Sequence, residues 1–299
     1  MKKNLVFRGV ATALITPMRE GKIDYTALGK IIEHEIEGGV SALVVGGTTG
    51  EAATLTDEER YDCFSFVKEQ AQGRVKIIFG TGTNDTRVAI KHTKRAYEIG
   101  CDAALAVTPY YNKGTYGGVT EHYKRIAAAS PLPLILYNVP TRTGVNLTVK
   151  QLDELARVEN IVGIKEASDS ADRLTELSKF GDDLYLYAGN DSQIFLTLAL
   201  GGKGVISVIS NLFPRRTSDI CNNFFCGNTA AAHKGQLELF DFIRIMFRET
   251  NPTPIKYAMS LYGLCTPEVR LPLLAPEEDT REAIIAELKR LGENTANPR

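Results

Sequence analysis

A lysine ends an otherwise apolar stretch of the sequence, at Lys165 in "IVGIKEAS" (161–168). Ile161, Val162 and Ile164 favour a buried strand before it. One interpretation is a strand-end lysine whose aliphatic stem is covered while its ammonium group reaches water. The other is an amine held in a pocket, where it stays partly neutral and attacks a carbonyl carbon. Taken alone, this stretch favours the first interpretation.

Groups with complementary chemistry occur in five other short motifs, each at or just after a β-rich run. The motifs are "GGTTGE" (46–51), "TPYYN" (108–112), "YNVPTRTG" (137–144), "AGND" (188–191) and "GVISV" (204–208). An aldolase that forms a Schiff base needs such groups. Tyrosine hydroxyls can move protons, hydroxyls and main-chain amides can hold a carboxylate, and an arginine can bind a second carboxylate.

Each of these groups also has a purely structural interpretation. Tyr110, Tyr111 and Tyr137 could be rim or core tyrosines. The "TTGE" segment could be a turn, and Arg142 could be a solvated loop residue. The spacing of the motifs along the chain therefore has to decide whether they meet at one site.

The motifs follow eight β-rich runs that alternate with helical patterns. These runs cover residues 9–17, 41–47, 75–82, 102–111, 132–140, 161–167, 184–191 and 204–210. Most are almost continuously apolar, which is typical of strands buried on both faces. Eight strands alternating with helices favour a closed (β/α)8 TIM barrel, in which the carboxyl ends of the strands carry the active site. A doubly wound open sheet is the alternative, but "ITPMREGK" after the first run is not a glycine-rich nucleotide loop.

The start and end signals of helices fit this alternation. Asp24 is a good N-cap, and the pairs Thr56–Glu59 and Thr148–Gln151 have the spacing of capping boxes. After residue 211 the strand pattern stops and helical patterns follow, including residues 229–247, 253–264 and 280–292. We therefore predict a barrel over residues 1–211 that carries the active site, and a C-terminal helical extension over 212–299 packed on it.

Composition excludes several classes of function. Thirty-five basic and 36 acidic residues give a net charge of −1, which offers no electrostatic basis for nucleic acid or an anionic membrane. No apolar run approaches a membrane span, and the amino-terminal residues are predicted to form the first strand, not a signal peptide. The five cysteines are scattered, which favours reduced thiols and a cytoplasmic location. The four histidines are far apart in sequence and "GTGTND" (80–85) is only a partial glycine pattern, so we expect no metal and no cofactor.

Two further lysines compete with Lys165 for a chemical role. Lys203 lies between glycines in "GGKG", where we expect an exposed turn. Lys256 follows "NPTP", and we predict a surface ion-pair partner near a helix start.

The motifs together resemble the dihydrodipicolinate synthase family over essentially the whole chain. "GGTTGE", "TPYYN", "YNVPTRTG", "GIKEAS", "GGKGVISV" and "NPTPIK" stand in the order and spacing of that family. The resemblance implies a (β/α)8 barrel of the class I aldolase type. It also implies condensation of pyruvate with L-aspartate-4-semialdehyde to 4-hydroxy-tetrahydrodipicolinate, on the route to diaminopimelate and lysine. Lys165 matches the lysine that forms the Schiff base.

The resemblance also implies catalytic roles for four other residues. Tyr137 matches the proton donor and acceptor. Thr48 matches a member of the proton relay, and Thr49 matches the neighbouring threonine that also contacts the pyruvate carboxylate. Tyr111 matches the relay tyrosine that the family inserts from a neighbouring subunit, which implies a tight dimer. The family usually pairs two such dimers, so the resemblance implies a homotetramer.

Three more residues match substrate-binding positions. Arg142 matches the arginine at the mouth that receives the carboxylate of the aldehyde substrate. Ile206 matches a main-chain contact to pyruvate, and Gly189 lies in the adjoining loop. Asn190 departs from the family pattern because many synthases have aspartate there, and we expect little consequence.

Two alternative functions belong to other classes. N-acetylneuraminate lyases and keto-sugar-acid aldolases share the barrel and the lysine, but they resemble "GSTGE" and lack the arginine of "RTG". A barrel that serves only as a binding protein would be expected to lose the lysine or a tyrosine, and neither is lost. The sequence therefore favours the synthase.

Feedback inhibition by lysine is predicted to be weak or absent. In lysine-inhibited members the inhibitor lies at the tight dimer interface, and Ala53, Asn84 and Tyr110 match its pocket. Arg60 and Val88 depart from it, standing where sensitive enzymes often have histidine and glutamate. A valine offers no acceptor to a desolvated ammonium group.

Overall fold

The computed structural model describes residues 3–293 and has a closed barrel of eight parallel strands at its centre. The strands are β1 (Gly9–Ala13), β2 (Ala42–Val45), β3 (Lys76–Gly80), β4 (Ala103–Val107), β5 (Leu134–Asn138), β6 (Ile161–Glu166), β7 (Tyr185–Ala188) and β8 (Gly204–Ser207). The first strand pairs with both the second and the last, so the sheet has no edge. The eight predicted strands and the barrel are confirmed, and the open sheet is excluded.

Helices surround the barrel and continue beyond it. Those longer than one turn are α1 (Tyr25–Glu37), α2 (Asp57–Ala71), α3 (Thr86–Ile99), α4 (Tyr116–Ala128), α5 (Val149–Ala156), α6 (Ala171–Ser178), α7 (Ile194–Ala199), α8 (Pro214–Phe225), α9 (Thr229–Glu238), α10 (Phe240–Met246), α11 (Thr253–Ser260) and α12 (Glu278–Arg290). Asp24 caps α1, and the capping boxes of Thr56 and Thr148 open α2 and α5 as predicted. No helix between residues 3 and 293 is long and apolar enough to cross a membrane.

The core has two layers, which explains why the strands are apolar on both faces. Side chains such as Ala11, Val44 and Tyr187 fill the barrel interior. Others, such as Leu43 and Phe79, pack outward against the helices. Each strand therefore buries both of its faces, as strands with helices on one side and a barrel interior on the other must.

The C-terminal helical extension is present, with two differences from the predicted elements. The helix predicted over 229–247 is two helices, α9 and α10, separated at Leu239. A two-stranded ribbon, Met18–Arg19 with Lys22–Ile23, was not predicted because each strand is only two residues long. The helix after the last strand, α8, packs on β1 and α1. The division of the chain at residue 211 stays a prediction.

Glu35 in α1 is a buried carboxyl group with a raised pKa. Its Oε2 accepts a hydrogen bond of 2.5 Å from the Thr12 hydroxyl, whereas Oε1 is buried without a partner. Burial raises the pKa of this carboxyl well above its ordinary value. The folded state therefore keeps a proton that the unfolded chain releases above pH of about 4.3. Folding stability from this site decreases as the pH rises above that value.

We expect Glu35→Gln to stabilise the protein increasingly as the pH rises, because the amide needs no proton to be buried. The gain over the parent should grow by about 1 kcal/mol or more between pH 5 and pH 8. Thermal melts at fixed protein concentration measure it. Glu37→Gln, at an exposed position of the same helix, is the matched control. An equal effect of both substitutions at both pH values would contradict the burial argument.

Candidate active site

A cavity of about 420 Å³ lies at the carboxyl ends of the barrel strands. Six of the eight predicted site residues line it: Thr48, Thr49, Tyr137, Arg142, Lys165 and Gly189. A larger cleft of about 900 Å³ lies at the amino ends of the strands, beside Lys3 and Asn160. Because enzymes of this fold place their chemistry at the carboxyl ends, the smaller cavity is the candidate active site.

Lys165 reaches the cavity because β6 contains one irregular position. Leu134 pairs with Ile161 but Ile135 pairs with Gly163, so one extra residue is inserted in β6. Ile161 and Ile164 both face the helices, which two residues an odd number of positions apart cannot do in a regular strand. The bulge shifts the alternation by one residue and turns Lys165 inward.

Tyr137 stands directly beside Lys165 on the neighbouring strand. The two residues are paired in the β5–β6 register, and the lysine Nζ lies 4.2 Å from the centre of the tyrosine ring. Lys165 is only 5% exposed and Tyr137 8%. An amine so enclosed, beside a phenol, can become a nucleophile whose proton transfers are served by its neighbour.

Asn138 and Glu166, the residues that follow Tyr137 and Lys165, point to the opposite face and join the two strands by hydrogen bonds. The Asn138 amide donates to both carboxylate oxygens of Glu166, at 3.0 Å each. Arg173 forms a buried ion pair of 3.3 Å with the same carboxylate, and the Ser168 main-chain N–H donates to it at 3.0 Å. Sequence reasoning assigned no role to Asn138, Glu166 or Arg173. Asn138 and Glu166 directly follow Tyr137 and Lys165 in the chain, and this adjacency could have found those two.

The loops after β7 and β8 close the other side of the cavity. Gly189 N donates to Glu166 O at 2.7 Å, and a Cβ on Gly189 would lie 2.7 Å from that oxygen, so only glycine allows this approach. Asp191 is fully buried and lines the same cavity, and its Oδ2 accepts from the main-chain N–H groups of Val208 and Ile209. Burial raises the pKa of Asp191, while these bonds and the charge of Lys165 oppose the rise. Sequence reasoning missed Asp191.

The paired threonines are held by the C-terminal extension. Thr49 is buried, and its hydroxyl accepts a hydrogen bond of 2.9 Å from the Asn251 side chain. Thr48 is half-buried at the cavity wall. Asn251 was quoted within a family motif but was not predicted as a site residue, because no sequence pattern links it to Thr49.

The prediction that Lys256 is a surface residue was wrong. Its side chain is fully buried, and its Nζ forms an ion pair of 2.7 Å with Glu51. The extension folds back over the loop after β2, and this long-range contact covers both charges. Lys203, predicted in an exposed turn, is half-buried at the amino end of β8 and pairs with Asp182 at 3.2 Å. Neither lysine lines the cavity that contains Lys165.

Arg142 lies at the mouth of the cavity, in the single helical turn Pro140–Thr143. Its side chain is exposed, and Nη2 donates to the main-chain oxygen of Asn251 at 3.4 Å. It also borders a second cavity of about 310 Å³, which shares Thr48, Tyr137 and Asn251 with the first. A guanidinium group in this position can bind a carboxylate that enters from solvent.

Two predicted residues do not line the cavity. Ile206 is buried in the barrel interior on β8. Tyr111 is 89% exposed at a loop tip, with a positive φ of 68° that is unusual for a bulky residue. Within one chain, therefore, the structure does not bring Tyr111 to Lys165.

The positions predicted for a lysine inhibitor are only partly together. Ala53, Arg60 and Tyr110 border the second cavity. Arg60 is buried, donates to Gly80 O at 2.8 Å and lies 3.2 Å from His92 Nε2. Val88 is 36% exposed on α3. Weak inhibition by lysine stays a prediction.

Comparison with known proteins identifies relatives of this barrel. The model of the "Dihydrodipicolinate synthetase family" matches residues 6–291. The 4-hydroxy-tetrahydrodipicolinate synthase of Clostridium novyi (strain NT) is 45% identical over 280 residues, which cover 93% of this chain and 95% of that protein.

Two solved structures of dihydrodipicolinate synthases have folds similar to that of this chain. Dihydrodipicolinate synthase from Aquifex aeolicus is 41% identical, with a TM-score of 0.95 over 97% of this chain and all of that one. The chloride-inhibited dihydrodipicolinate synthase from Acinetobacter baumannii, solved in complex with pyruvate, is 40% identical. Its TM-score is 0.94, over 96% of this chain and 100% of that one.

Proposed function

Because the chain belongs to the dihydrodipicolinate synthetase family, we propose that the cavity at Lys165 is where it carries out the family's reaction. The protein is a lyase of the class I aldolase type. It condenses pyruvate with L-aspartate-4-semialdehyde to give 4-hydroxy-tetrahydrodipicolinate, in the biosynthesis of diaminopimelate and lysine. The main support for placing the reaction in this cavity is the enclosed pair of Lys165 and Tyr137.

Lys165 is the nucleophile in this proposal. Its neutral amine adds to the keto carbon of pyruvate, and loss of water from the carbinolamine gives the Schiff base. Lys165 is enclosed, and the apolar interior of the barrel lies beneath it. Loss of a methyl proton then gives an enamine, whose carbon attacks the aldehyde of the second substrate to form the new carbon–carbon bond.

Tyr137 moves the protons of these steps, because its hydroxyl belongs to a ring 4.2 Å from the amine. Thr48 belongs to the same relay. Thr49 and the main chain at Ile206 hold the pyruvate carboxylate, and Gly189 lets the chain approach closely there. These roles follow the family resemblance, and the shared cavity supports those of Thr48, Thr49, Tyr137 and Gly189.

Arg142 receives the carboxylate of L-aspartate-4-semialdehyde. It is exposed at the mouth, where a second substrate must enter after pyruvate has reacted. N-acetylneuraminate lyases and keto-sugar-acid aldolases lack this arginine in the corresponding motif, which favours the synthase among the aldolases.

Tyr111 completes the relay from a second subunit. Its 89% exposure leaves its phenol at a loop tip, open to contact with a neighbouring subunit. Apolar side chains of Leu271 and Leu274, 74% and 70% exposed, also remain uncovered. We infer a tight dimer that buries Tyr111, and a homotetramer of two such dimers.

A cytoplasmic location is part of the same proposal. All five cysteines are free thiols. Small-molecule biosynthesis with unprotected thiols suits a reducing compartment.

Borohydride reduction in the presence of pyruvate should attach a three-carbon adduct to Lys165, because reduction traps the Schiff base. Peptide mass mapping locates the adduct. Lys165→Arg should abolish it, since a guanidinium group stays protonated, whereas Lys203→Arg should not. An adduct on Lys203 or Lys256 in the parent protein would refute the assignment.

Arg142→Ala should raise KM for L-aspartate-4-semialdehyde while pyruvate trapping survives. Loss of a charge-assisted bidentate contact costs about 2–4 kcal/mol, which corresponds to roughly 30- to 1000-fold. Steady-state kinetics with each substrate varied measure the split. Arg142→Lys keeps the charge but not the forked pair of donors, so its KM for L-aspartate-4-semialdehyde should lie between those of the parent and of Arg142→Ala. Equal damage to both substrates would show a structural role instead.

Co-expression of two inactive variants should restore activity if Tyr111 acts across the interface. In a mixed dimer of Lys165→Arg and Tyr111→Phe subunits, one site collects both defects and the other has neither. Purified heterodimers, isolated with a different tag on each subunit, should therefore have about half of the parent activity. Mixtures that stay as inactive as the separate variants would place Tyr111 in its own subunit's site or outside catalysis.

A further inference from the structure

One buried ion pair near the active site has no part in the reaction described above. Lys256 in α11 is fully buried, and its Nζ lies 2.7 Å from Glu51 Oε1. The same Nζ donates to Thr16 O at 2.9 Å, and Arg270 N donates to Glu51 Oε2 at 2.9 Å. Burying two charges costs free energy that their attraction recovers only with this kind of complete bonding. Neither side chain lines the cavity with Lys165.

The pair fixes the backbone of the loop that carries Thr48 and Thr49. Glu51 follows Thr49 by two residues and adopts a left-handed φ of 55°, an uncommon conformation for a residue other than glycine. Its main-chain N–H donates to Thr48 O at 3.0 Å, which closes a tight turn. The Thr16 hydroxyl donates to Gly50 O at 2.7 Å. The turn is therefore held from the segment after β1 and from the C-terminal extension together.

The same segment of the extension also acts on the Thr49 side chain. Asn251, five residues before Lys256, is buried and donates to Thr49 Oγ1 at 2.9 Å. A hydroxyl that accepts this bond must direct its own hydrogen elsewhere. Thr49 and Lys165 line the same cavity, so the Thr49 hydroxyl can direct its hydrogen into that cavity.

We propose that residues 251–256 are a positioning element for pyruvate: Lys256 holds the Thr48–Thr49 turn through Glu51, and Asn251 directs the Thr49 hydroxyl toward the substrate carboxylate. This inference rests on the proposed role of Thr49. Lys256 and Asn251 are positioning residues, since each acts through the turn. The element reaches the site from the extension, so the extension contributes to substrate binding and not only to stability.

Removing the ion pair separates positioning from stability. Lys256→Met leaves Glu51 buried without its cation, so the melting temperature should fall and KM for pyruvate should rise. The double variant Glu51→Gln/Lys256→Met has no unpaired charge, so the melting temperature should recover substantially. KM for pyruvate should nevertheless stay on the order of 10-fold or more above the parent, because the turn has lost its anchor. Lys234→Met, which breaks an exposed pair of the extension, is the control and should change neither quantity.

A return of KM to the parent value together with the melting temperature would overturn the proposal, because the pair would then be purely structural. If Lys256→Met alone does not fold, KM for pyruvate and the melting temperature can still be compared between the double variant and the parent. Pyruvate trapping on Lys165 is measured in every variant. If pyruvate is not trapped on Lys165 in the parent protein, the proposed function is refuted. If it is trapped and the variants have an unchanged KM for pyruvate, only the positioning element is refuted.

A double-mutant cycle between Asn251 and Thr49 tests the role of Asn251 even if the ion-pair variants do not fold. Asn251→Ala should raise KM for pyruvate about 10-fold or more in the parent but less than about twofold in a Thr49→Val background, because its target hydroxyl is then absent. An equal effect in both backgrounds would show that Asn251 does not act through Thr49 and would overturn that part of the proposal.

Discussion

The parallel pairing of β5 with β6, including one extra residue in β6, is the constraint on which the site depends. It sets Tyr137 beside Lys165 and turns the lysine into the barrel. A strand without the bulge would present Lys165 to the helices, where an amine could not meet a substrate in the cavity. The chemistry proposed for Lys165 therefore depends on an irregularity of the backbone.

Because strands in a barrel have two buried faces, the residues next to the reactive pair serve a different purpose. Asn138 and Glu166 follow Tyr137 and Lys165 directly, yet they face outward and bond to each other and to Arg173. This network lies behind the strand ends and restrains the backbone from which the reactive side chains project. Rigid support of this kind keeps a nucleophile within the narrow range of distances in which it reacts efficiently.

Buried charges surround the cavity on three sides. Glu166 with Arg173 lies behind it, Glu51 with Lys256 beneath the threonine turn, and Asp191 at the loops after β7 and β8. Such groups are poor contributors to stability compared with apolar residues of the same size. They do have strict geometric requirements, and in this protein those requirements fall on three loops that border the cavity.

Local patterns in the sequence determined the elements of the fold. Eight apolar runs, the caps at Asp24, Thr56 and Thr148, and the order of the motifs predicted a barrel whose strand ends carry Thr48, Tyr137 and Lys165, because strand periodicity and capping depend on near neighbours in the chain. Tertiary structure alone decided the bulge that orients Lys165, the burial of Lys256, the bond between Asn251 and Thr49, and the exposure of Tyr111. These features depend on contacts between residues that are up to about two hundred positions apart, as in the pairs Glu51–Lys256 and Thr49–Asn251. The sequence around Lys256 reads as a surface helix start because nothing within a few residues of it shows that Glu51 will be its partner.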